Sequence, residues 1–379
     1  MPDDNSVFHS MLKLVEWDAF DDAVERQRAK TRARGFSCKS HLVALLYGQF
    51  AGTSSLREIE AGLHSHATRL YHLGVRPAPR ASLADANRNR PVAPFSELLA
   101  AMIRRAHRGL RRTMDGATYL IDSTSLTLTD RSAVWARFSA DTAGVKTHVI
   151  YDADADCPIY AAVSTANVND ITAAKAMPIA KGATYVFDLG YYDYRWWARL
   201  DAAGCRIVSR LKRNTPLRVT ETRPAPGGAV LSDRIGHLPD RLASNRRNPF
   251  HKPVREVQVR IDTGKVLRIV TNDLTAPAQE IADLYKRRWA IELFVRWVKQ
   301  TLKVTRFLGT SENAVRIQIA VALIAFLLLR LAQNTQAAIS SPLTFARLIR
   351  SNLMHLRGLG ELDRPPPTAT LIPGQGLLV

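Results

Sequence analysis

The sequence predicts a mixed α/β protein in which a helical N-terminal segment precedes a sheet-containing core. Up to about residue 115, apolar residues recur at helical spacing. From Ala117 the pattern changes to strand, hairpin, helix, strand, helix and strand, which predicts an antiparallel start followed by parallel crossovers. Residues 212–275 are rich in Arg, Pro, Gly and Asn and contain alternating strands, so we expect a β-rich insertion there.

The composition is that of a protein that binds polyanions. Its 379 residues carry 53 Lys and Arg against 34 Asp and Glu, a formal net charge of +19. An excess of this size attracts nucleic acid, and an anionic membrane is the alternative partner. The most apolar run, Ile319–Leu329, is shorter than the ~20 residues that span a bilayer, so we expect a core helix and no membrane partner. The N-terminus lacks the apolar segment of a signal peptide, which predicts a cytoplasmic protein.

The helical N-terminal segment, residues 1–115, contains two features of DNA-binding proteins. Residues 39–52 and 53–63 predict two helices joined by a glycine turn, the pattern of a helix-turn-helix and also of any αα-hairpin. A dense basic run follows, which predicts either phosphate contacts or a solvated helix face. The cations of this run are Arg104, Arg105, Arg108, Arg111 and Arg112.

Two aspartates stand at strand positions of the predicted core. Asp122 lies in the apolar strand pattern of residues 117–128, and Asp188 ends the strand that begins at Thr184. Buried acids without partners are costly, and ligand-binding groups of open α/β sheets cluster at strand ends. If the two strands are neighbours, the pair forms a site for hard cations such as magnesium. The alternative is that each Asp caps the turn that follows it.

A long helix is predicted from Pro277, directly after the insertion. Projected at ~100° per residue, one face of this helix carries a single acid among cations, and the opposite face is apolar. Such a stripe suits a metal beside phosphates, whereas an ordinary amphipathic helix with an Arg288–Glu292 pair is the alternative. The stripe comprises Tyr285, Arg288, Glu292 and Lys299, with Arg296 and Lys303 beside it.

These segments together resemble the IS-four family of bacterial insertion-sequence DDE transposases. Tyr285, Arg288, Glu292 and Lys299 have the spacing of that family's signature helix, with two, three and six intervening residues. "IDSTSL" resembles its first-aspartate strand, "GVKTHVIYD" its Lys-x-His strand and "VFDLGYYDY" its second-aspartate motif. The motifs occur in the family's order over roughly residues 115–335, and the β-rich insertion precedes the helix that carries Glu292.

The resemblance implies an RNase H-like fold for residues 116–335, in which Asp122, Asp188 and Glu292 are the catalytic and metal-binding residues of a DDE triad. Three such carboxylates hold two divalent ions ~3.5–4 Å apart, Mg²⁺ with Mn²⁺ as a substitute. The implied reaction cuts the ends of the element and joins them to target DNA. Tyr285, Arg288 and Lys299 are expected to bind phosphates near the cut.

The partner that the resemblance implies is double-stranded DNA, as terminal inverted repeats and as target, bound by a homodimer on paired ends. The N-terminal segment is similar to a helical domain found in some members, and we expect it to recognise the repeats. Relatives flip a base onto an aromatic residue. Trp289, Trp196 and Trp197 are candidates, with core packing as the alternative for each. Residues 336–379 are expected to form a C-terminal helix and a Pro/Gly-rich tail.

Two other functions and two other signals complete the interpretation. An RNase H-like nuclease without strand transfer and a non-catalytic DNA-binding relative are the alternatives to a transposase. Asp152, Asp154 and Asp156 mimic the start of a calcium loop, but the glycine and glutamate that complete such a loop are missing, so we predict a hairpin turn. The three cysteines lie far apart, which indicates neither a disulfide framework nor a zinc site.

Overall fold

The computed structural model describes residues 5–27, 36–70, 73–110, 116–139, 142–241, 247–301, 307–336, 339 and 341–362, without the side chains of Gln300 and Thr301. The α-helices are α1 (Val7–Leu12), α2 (Trp17–Arg26), α3 (Cys38–Ala51), α4 (Leu56–Ser65), α5 (Ala67–Leu70), α6 (Arg80–Asn89), α7 (Ala93–Leu110), α8 (Ala133–Ala136), α9 (Asp170–Ala176), α10 (Tyr194–Ala202), α11 (Ala278–Arg287), α12 (Trp289–Thr301), α13 (Glu312–Asn334) and α14 (Pro342–Asn352). The strands are β1 (Thr118–Leu128), β2 (Ala143–Asp152), β3 (Cys157–Thr165), β4 (Thr184–Phe187), β5 (Arg206–Arg210), β6 (Arg218–Arg223), β7 (Val230–His237), β8 (Val254–Arg260) and β9 (Val266–Thr271).

The nine strands form one mixed sheet in the order β3-β2-β1-β4-β5-β9-β8-β7-β6. β1, β2 and β3 are antiparallel neighbours, whereas β4 runs parallel to β1 and β5 parallel to β4. The hairpin of β2 and β3 and the crossovers through α9 and α10 therefore confirm the predicted antiparallel start and parallel continuation. α9 ends at Ala176, earlier than the sequence predicts, because Pro178 restricts the backbone of Met177.

The β-rich insertion contains four strands, of which the sequence predicts only β8 and β9. β9 pairs antiparallel with β5, so the insertion extends the main sheet. Register shifts interrupt the β6–β7 pairing between Val219 and Glu221 and the β7–β8 pairing between Val230 and Ser232. Such irregularities break the strict alternation of apolar and polar residues, which is the signal by which a strand is recognised.

Apolar side chains cover both faces of the sheet. On one face Leu120 and Leu126 of β1 join a core that continues into the N-terminal helices, α12 and α13. On the other face Ile121 packs with the aromatic side chains of β4 and α10. Because neighbouring strand residues point to opposite faces, Asp122 shares the face of Leu120 and Leu126, against which α12 packs.

In the N-terminal segment, α3 and α4 are joined by a glycine turn and contact each other. α3 ends at Gly52, whose φ of +68° is a left-handed conformation that glycine adopts without steric cost. Ser55 caps α4 by accepting a hydrogen bond from the Glu58 N–H. α3 is buried along nearly its whole length. The helix–turn–helix geometry is thus present, and its use in DNA recognition stays a prediction.

α13 is a long apolar helix that contains the run Ile319–Leu329. With 23 residues it is long and apolar enough to cross a membrane by length and composition, so the expectation that this run is too short is wrong. However, 83% of its most apolar window is buried inside the protein, where α13 packs against α3, α6, α7 and α14. The prediction of a core helix is confirmed by this burial.

The single long helix predicted from Pro277 is divided into α11 and α12 at Arg288. The Arg288 N–H bonds the carbonyl of Tyr285, and the Ile291 N–H bonds the carbonyl of Arg288, so the chain tightens at the junction. No Pro or Gly marks this position, and the sequence therefore carries no signal for the break. Tyr285 lies on α11 and is buried, which corrects its predicted place on an exposed face shared with Glu292.

Candidate active site

Asp122 and Asp188 lie side by side at the centre of the sheet. Ile121 of β1 is the register partner of Phe187 of β4, and each aspartate directly follows one of these residues. Because β1 and β4 are parallel neighbours, the two backbones carry both acids to the same level of the sheet. The two strands are neighbours, as a paired site requires.

Asp122 is a partly buried carboxylate with acidic neighbours. Its Oδ1 accepts a hydrogen bond from the Ser123 N–H at 2.8 Å. Burial, followed by repulsion from Asp188 and Glu292, raises the pKa of Asp122 to about 6, although the Ser123 N–H and the Arg288 guanidinium oppose this shift. Both Asp188 and Glu292 are therefore close enough to Asp122 to raise its pKa.

Asp188 caps the turn that follows β4. Its Oδ1 accepts a hydrogen bond from the Gly190 N–H at 2.8 Å, so the turn-capping alternative holds for one of its two oxygens. A Cβ atom at position 190 would stand 3.0 Å from Asp188 Oδ1 and 3.2 Å from Asp170 Oδ2. The absence of a side chain at Gly190 therefore permits these two carboxylates to approach the same turn.

Glu292 lies in the first turn of α12 and forms an ion pair with Arg288. The guanidinium of Arg288 also lies 5.8 Å from the ring centroid of Tyr285. The amphipathic-helix alternative correctly describes the Arg288–Glu292 contact at i and i+4. The same guanidinium also acts on the pKa of Asp122, so the pair belongs to the acidic centre and not to a remote helix face.

The remaining predicted cations of this region differ in environment. Burial lowers the pKa of Lys299 while the Asp122 carboxylate opposes the shift, so this ammonium faces the acidic centre. Arg296 is exposed and stacks over the Trp289 ring, 5.5 Å from its centroid. Lys303 lies outside the described residues. Lys299 is therefore brought to the site, whereas Arg296 is directed toward an aromatic surface beside it.

The basic run of α7 is only partly available to a ligand. Arg104 and Arg108 are exposed. Arg105 is engaged by Glu16 of α1–α2, with Nη1 at 2.9 Å from the carboxylate. Arg111 and Arg112 lie outside the described residues. Phosphate contacts thus stay a prediction for Arg104 and Arg108, whereas Arg105 has an intramolecular partner.

Three residues that the sequence analysis did not select for the site surround it from the other face of the sheet. Asp170 Oδ1 accepts hydrogen bonds from the Ser123 hydroxyl at 2.7 Å and from the Lys146 ammonium at 3.0 Å. Asp170 resembles an ordinary helix cap in the sequence, so the pattern offers no separate signal for it. Lys146 belongs to the Lys-x-His motif, and that motif was the available indication.

The donor set of the acidic centre suits hard divalent cations. Within the described ranges, no group of three or more His, Cys, Asp and Glu side chains is arranged to hold one ion. Magnesium does not require such a group, because it is commonly bound by one or two carboxylates together with water and substrate phosphates. Burial and, after it, two acidic neighbours raise the pKa of Asp122, so a cation bound there would relieve both the burial cost and the repulsion.

A cleft of about 670 Å³ opens between the β8–β9 hairpin and the α11–α12 junction, and Arg288, the ion-pair partner of Glu292, is among the residues that line it. Arginines and a lysine line it together with Trp289, whose side chain is 51% exposed. Trp196 and Trp197 are buried in the core instead, as their alternative interpretation predicts. The cationic residues that line the cleft are Arg260, Lys286, Arg287 and Arg288.

Comparison with known proteins agrees with this architecture. The family described as "Transposase DDE domain" matches residues 114–328, and a domain of unknown function matches residues 3–76. A Sinorhizobium fredii protein named as a transposase, y4zB, is 39% identical over 290 residues, which cover 75% of this chain and 80% of that protein. A Geobacillus stearothermophilus protein, named as a probable transposase for insertion sequence element IS5377, is 29% identical over 324 residues, 81% of this chain and 84% of that protein.

A solved structure of the piggyBac transposase synaptic complex with hairpin DNA aligns with 95% of this chain and 82% of that chain, at a TM-score of 0.47 and 12% identity. These values are too low to transfer any property. The family match covers more than half of the sequence, and the chain therefore belongs to the DDE transposases of bacterial insertion sequences. It has an RNase H-like catalytic core and is a DNA transposase, an enzyme that acts on DNA.

Proposed function

We propose that Asp122, Asp188 and Glu292 are the catalytic triad and that they bind two Mg²⁺ ions, which Mn²⁺ replaces. The observation that supports this most directly is the pairing of Ile121 with Phe187, since it aligns Asp122 with Asp188 on neighbouring parallel strands. Glu292 contributes from α12, on the face of the sheet that Asp122 shares. When bound, the ions lower the pKa of the attacking water or DNA 3′-OH and stabilise the leaving oxygen.

The cations around the triad have separate proposed tasks. Arg288 neutralises Glu292 in the absence of DNA and metal, and its planar guanidinium is suited to a bidentate bond with a phosphate once Glu292 turns to a metal. Lys299 faces Asp122 and adds a point charge near the cut phosphate. Tyr285 is buried and supports Arg288 through its ring more than it reaches DNA itself.

The wider surface is proposed to bind the element's ends and the target. The cationic cleft with Trp289 includes Arg288, the ion-pair partner of Glu292, and provides a stacking surface for an unpaired base. The helical segment, residues 1–115, is proposed to recognise the terminal inverted repeats, with Arg104 and Arg108 among its phosphate contacts. Residues 116–335 form the catalytic unit, with residues 212–275 as the insertion, and residues 336–379 follow it.

The proposed assembly is a homodimer on two paired DNA ends, acting in the bacterial cytoplasm at the nucleoid. Pairing of ends requires two active sites, since each chain supplies one triad. The net charge of +19 favours association with DNA over long range. The expected sign of this assembly is a complex of two chains and two end duplexes in sedimentation or mass photometry.

Glu292→Gln tests the triad because it preserves shape and removes the charge that binds metal. Purified enzyme is incubated with duplexes that carry the inverted repeats flanking the gene, target plasmid and Mg²⁺. Wild-type enzyme is expected to release 3′-OH ends and to form joined products, whereas Glu292→Gln yields neither. Glu312→Gln, an acid in an i, i+4 pair on α13, is the matched control and keeps full activity.

The same assay separates the alternative functions. Cleavage without any joined product identifies a nuclease without strand transfer. DNA binding with no cleavage by the wild-type enzyme identifies a non-catalytic relative. Joined product from Glu292→Gln at the wild-type rate contradicts the triad assignment.

A further inference from the structure

The acidic turn between β2 and β3 has no task in the proposed chemistry, yet three helices attach to it. The turn is the segment that mimics the start of a calcium loop in the sequence. Each of its three acids bonds a basic side chain from a different helix. The pairs are Asp152–His107 of α7, Asp154–Arg287 of α11 and Asp156–Arg330 of α13.

The turn is a rigid point of attachment. Asp152 is fully buried, and its Oδ1 accepts hydrogen bonds from the N–H groups of Asp154 at 2.8 Å and Ala155 at 3.0 Å. Its Oδ2 lies 2.9 Å from His107 Nε2. Asp156 lies 2.9 Å from the Arg330 guanidinium and accepts a hydrogen bond from the Tyr151 hydroxyl. Bonds from several directions leave this turn little freedom.

Arg287 connects this turn to the first residue of β1. Its guanidinium bonds the carboxylate of Asp154 and donates to the Thr118 hydroxyl at 3.2 Å. The second carboxylate oxygen of Asp154 accepts a hydrogen bond from the Thr118 N–H at 3.3 Å. Three residues from three separate elements thus form one closed set of bonds.

Arg287, Asp154 and Thr118, here called the clamp, lie near the starts of the two elements that carry Asp122 and Glu292. Thr118 is the first residue of β1, and Arg287 is the last residue of α11, just before α12. Asp122 follows Thr118 by four residues, about 13 Å along a strand, and Glu292 follows Arg287 by five residues, about 7.5 Å along a helix. α12 packs against β1, but the helix is interrupted at Arg288. Continuity with α11 is therefore weakened at the point where the clamp binds.

We propose that Arg287 is a positioning residue that sets the register of α12 along β1 and so places Glu292 opposite Asp122 for metal binding. The proposal rests on the proposed triad. Arg287 itself touches neither the reacting groups nor the carboxylates of the triad. Its loss lets α12 shift along β1, which weakens the metal site without unfolding the core.

Arg287→Met tests this role because it removes the charge and both bonds and retains most of the side-chain volume. Arg316→Met is the matched control: Arg316 is 31% exposed against 37% for Arg287, pairs with Glu312 at 2.8 Å and donates to the Val163 carbonyl at 3.0 Å. Binding of Mn²⁺ to the metal-free protein is measured by electron paramagnetic resonance. Thermal midpoints are measured on the same samples.

The expected result is a Mn²⁺ dissociation constant raised by about tenfold in Arg287→Met, as for other side chains that hold metal ligands in place, with no change in Arg316→Met. The two variants are expected to lose the same small amount of thermal stability. In the cleavage assay, Arg287→Met raises the half-saturating Mn²⁺ concentration more than it lowers the rate at saturating Mn²⁺. The exchange Arg287→Asp with Asp154→Arg restores binding.

Equal Mn²⁺ affinity in Arg287→Met and wild type overturns the proposal. If Arg287→Met fails to fold, Thr118→Val replaces it, since this change removes only the hydroxyl acceptor and must still raise the dissociation constant. Asp122→Asn separates the two levels of inference. If Asp122→Asn binds Mn²⁺ as tightly as wild type, the triad proposal fails. If Asp122→Asn binds Mn²⁺ more weakly but Arg287→Met binds it as tightly as wild type, only the positioning role fails.

Discussion

At the scale of single residues, the acidic centre holds one carboxylate, Asp122, whose ionised form the fold disfavours. Asp122 is partly buried near Asp188 and Glu292, and burial followed by these acids raises its pKa to about 6. The Arg288–Glu292 ion pair neutralises one of the neighbours when neither metal nor DNA is present. Burial that disfavours the free carboxylate also strengthens its attraction to a divalent cation.

The pH dependence of stability follows from the sign of the Asp122 shift. Folding raises its pKa from 3.8 to about 6, so this group stabilises the folded state fully below about pH 4 and loses that contribution as the pH rises through 6. Asp122→Asn is therefore expected to raise the thermal midpoint of the metal-free protein at about pH 7.5. The gain disappears near pH 4 in a series of calorimetric scans.

Two measurements accompany that prediction. Asp85→Asn, at an exposed acid of α6, is the control and leaves the midpoint unchanged across the same series. The acid limb of cleavage is expected to lie near pH 6 and to move to lower pH as Mg²⁺ is raised, because metal and proton compete for one carboxylate. An acid limb that does not respond to metal contradicts this competition.

Gly190→Ala is expected to reduce cleavage without unfolding the protein. The new methyl group stands 3.0 Å from Asp188 Oδ1 and 3.2 Å from Asp170 Oδ2, so a carboxylate must shift by a few tenths of an ångström. Displaced catalytic groups of this kind lower the rate by about tenfold or more. Gly360→Ala, where the nearest atom is at 3.4 Å, is the control. Single-turnover cleavage rates measure the difference.

At the scale of elements, the α11–α12 junction decides which side chains meet. A continuous helix would place Tyr285 and Glu292 on one exposed face. The break at Arg288 instead buries Tyr285 under Arg288 and begins a new helix whose first turn exposes Trp289. Tyr285, which packs on Arg288, thus lies on α11, whereas Glu292 lies on α12.

The tryptophans provide a prediction at this scale. Trp196→Ala removes a buried side chain and is expected to cost about 3–5 kcal/mol of unfolding free energy. Trp289→Ala, at a half-exposed position, is expected to leave stability within about 0.5 kcal/mol. It weakens binding of a duplex with an unpaired base by about 1–3 kcal/mol. Denaturant titrations and fluorescence anisotropy measure the two effects.

The opposite pattern would contradict this assignment. Wild-type affinity in Trp289→Ala for DNA with an unpaired base removes the stacking role. A small stability loss in Trp196→Ala places that residue outside the core.

At the scale of the whole molecule, the helical segment and the sheet share one apolar core. α13 packs against α3 and α7 on one side, and α7 packs against β3. Helices α3 and α7 therefore cover apolar surface of the part of the chain that carries the sheet. The proposed recognition of DNA ends by the N-terminal segment would thus involve helices that pack directly on the catalytic unit.

A chain that begins at residue 116 is expected to unfold without a sharp thermal transition and to aggregate. Its α13 would expose apolar residues that α3 and α7 bury in the full chain. Calorimetry and light scattering on the full and shortened chains provide the comparison. A cooperative transition in the shortened chain would instead show that residues 116–379 fold independently.

The sequence by itself determines the order of strands and helices, because strand alternation and helical periodicity are local properties. The antiparallel start, the parallel crossovers and a core helix that contains Ile319–Leu329 are predicted and observed. The motif spacing also selects Asp122, Asp188 and Glu292 without any knowledge of distances.

Tertiary packing alone decides the remaining features. Asp170 reaches the site because α9 packs against β2 and against the turn that follows β4, and no local pattern encodes these contacts. The break at Arg288 has no Pro or Gly, so it arises from packing of two helical segments on different parts of one sheet. The three acids of the β2–β3 turn have partners 45 to 174 residues away. Long-range contacts of this kind depend on the whole fold, and a sequence pattern of a few residues does not contain them.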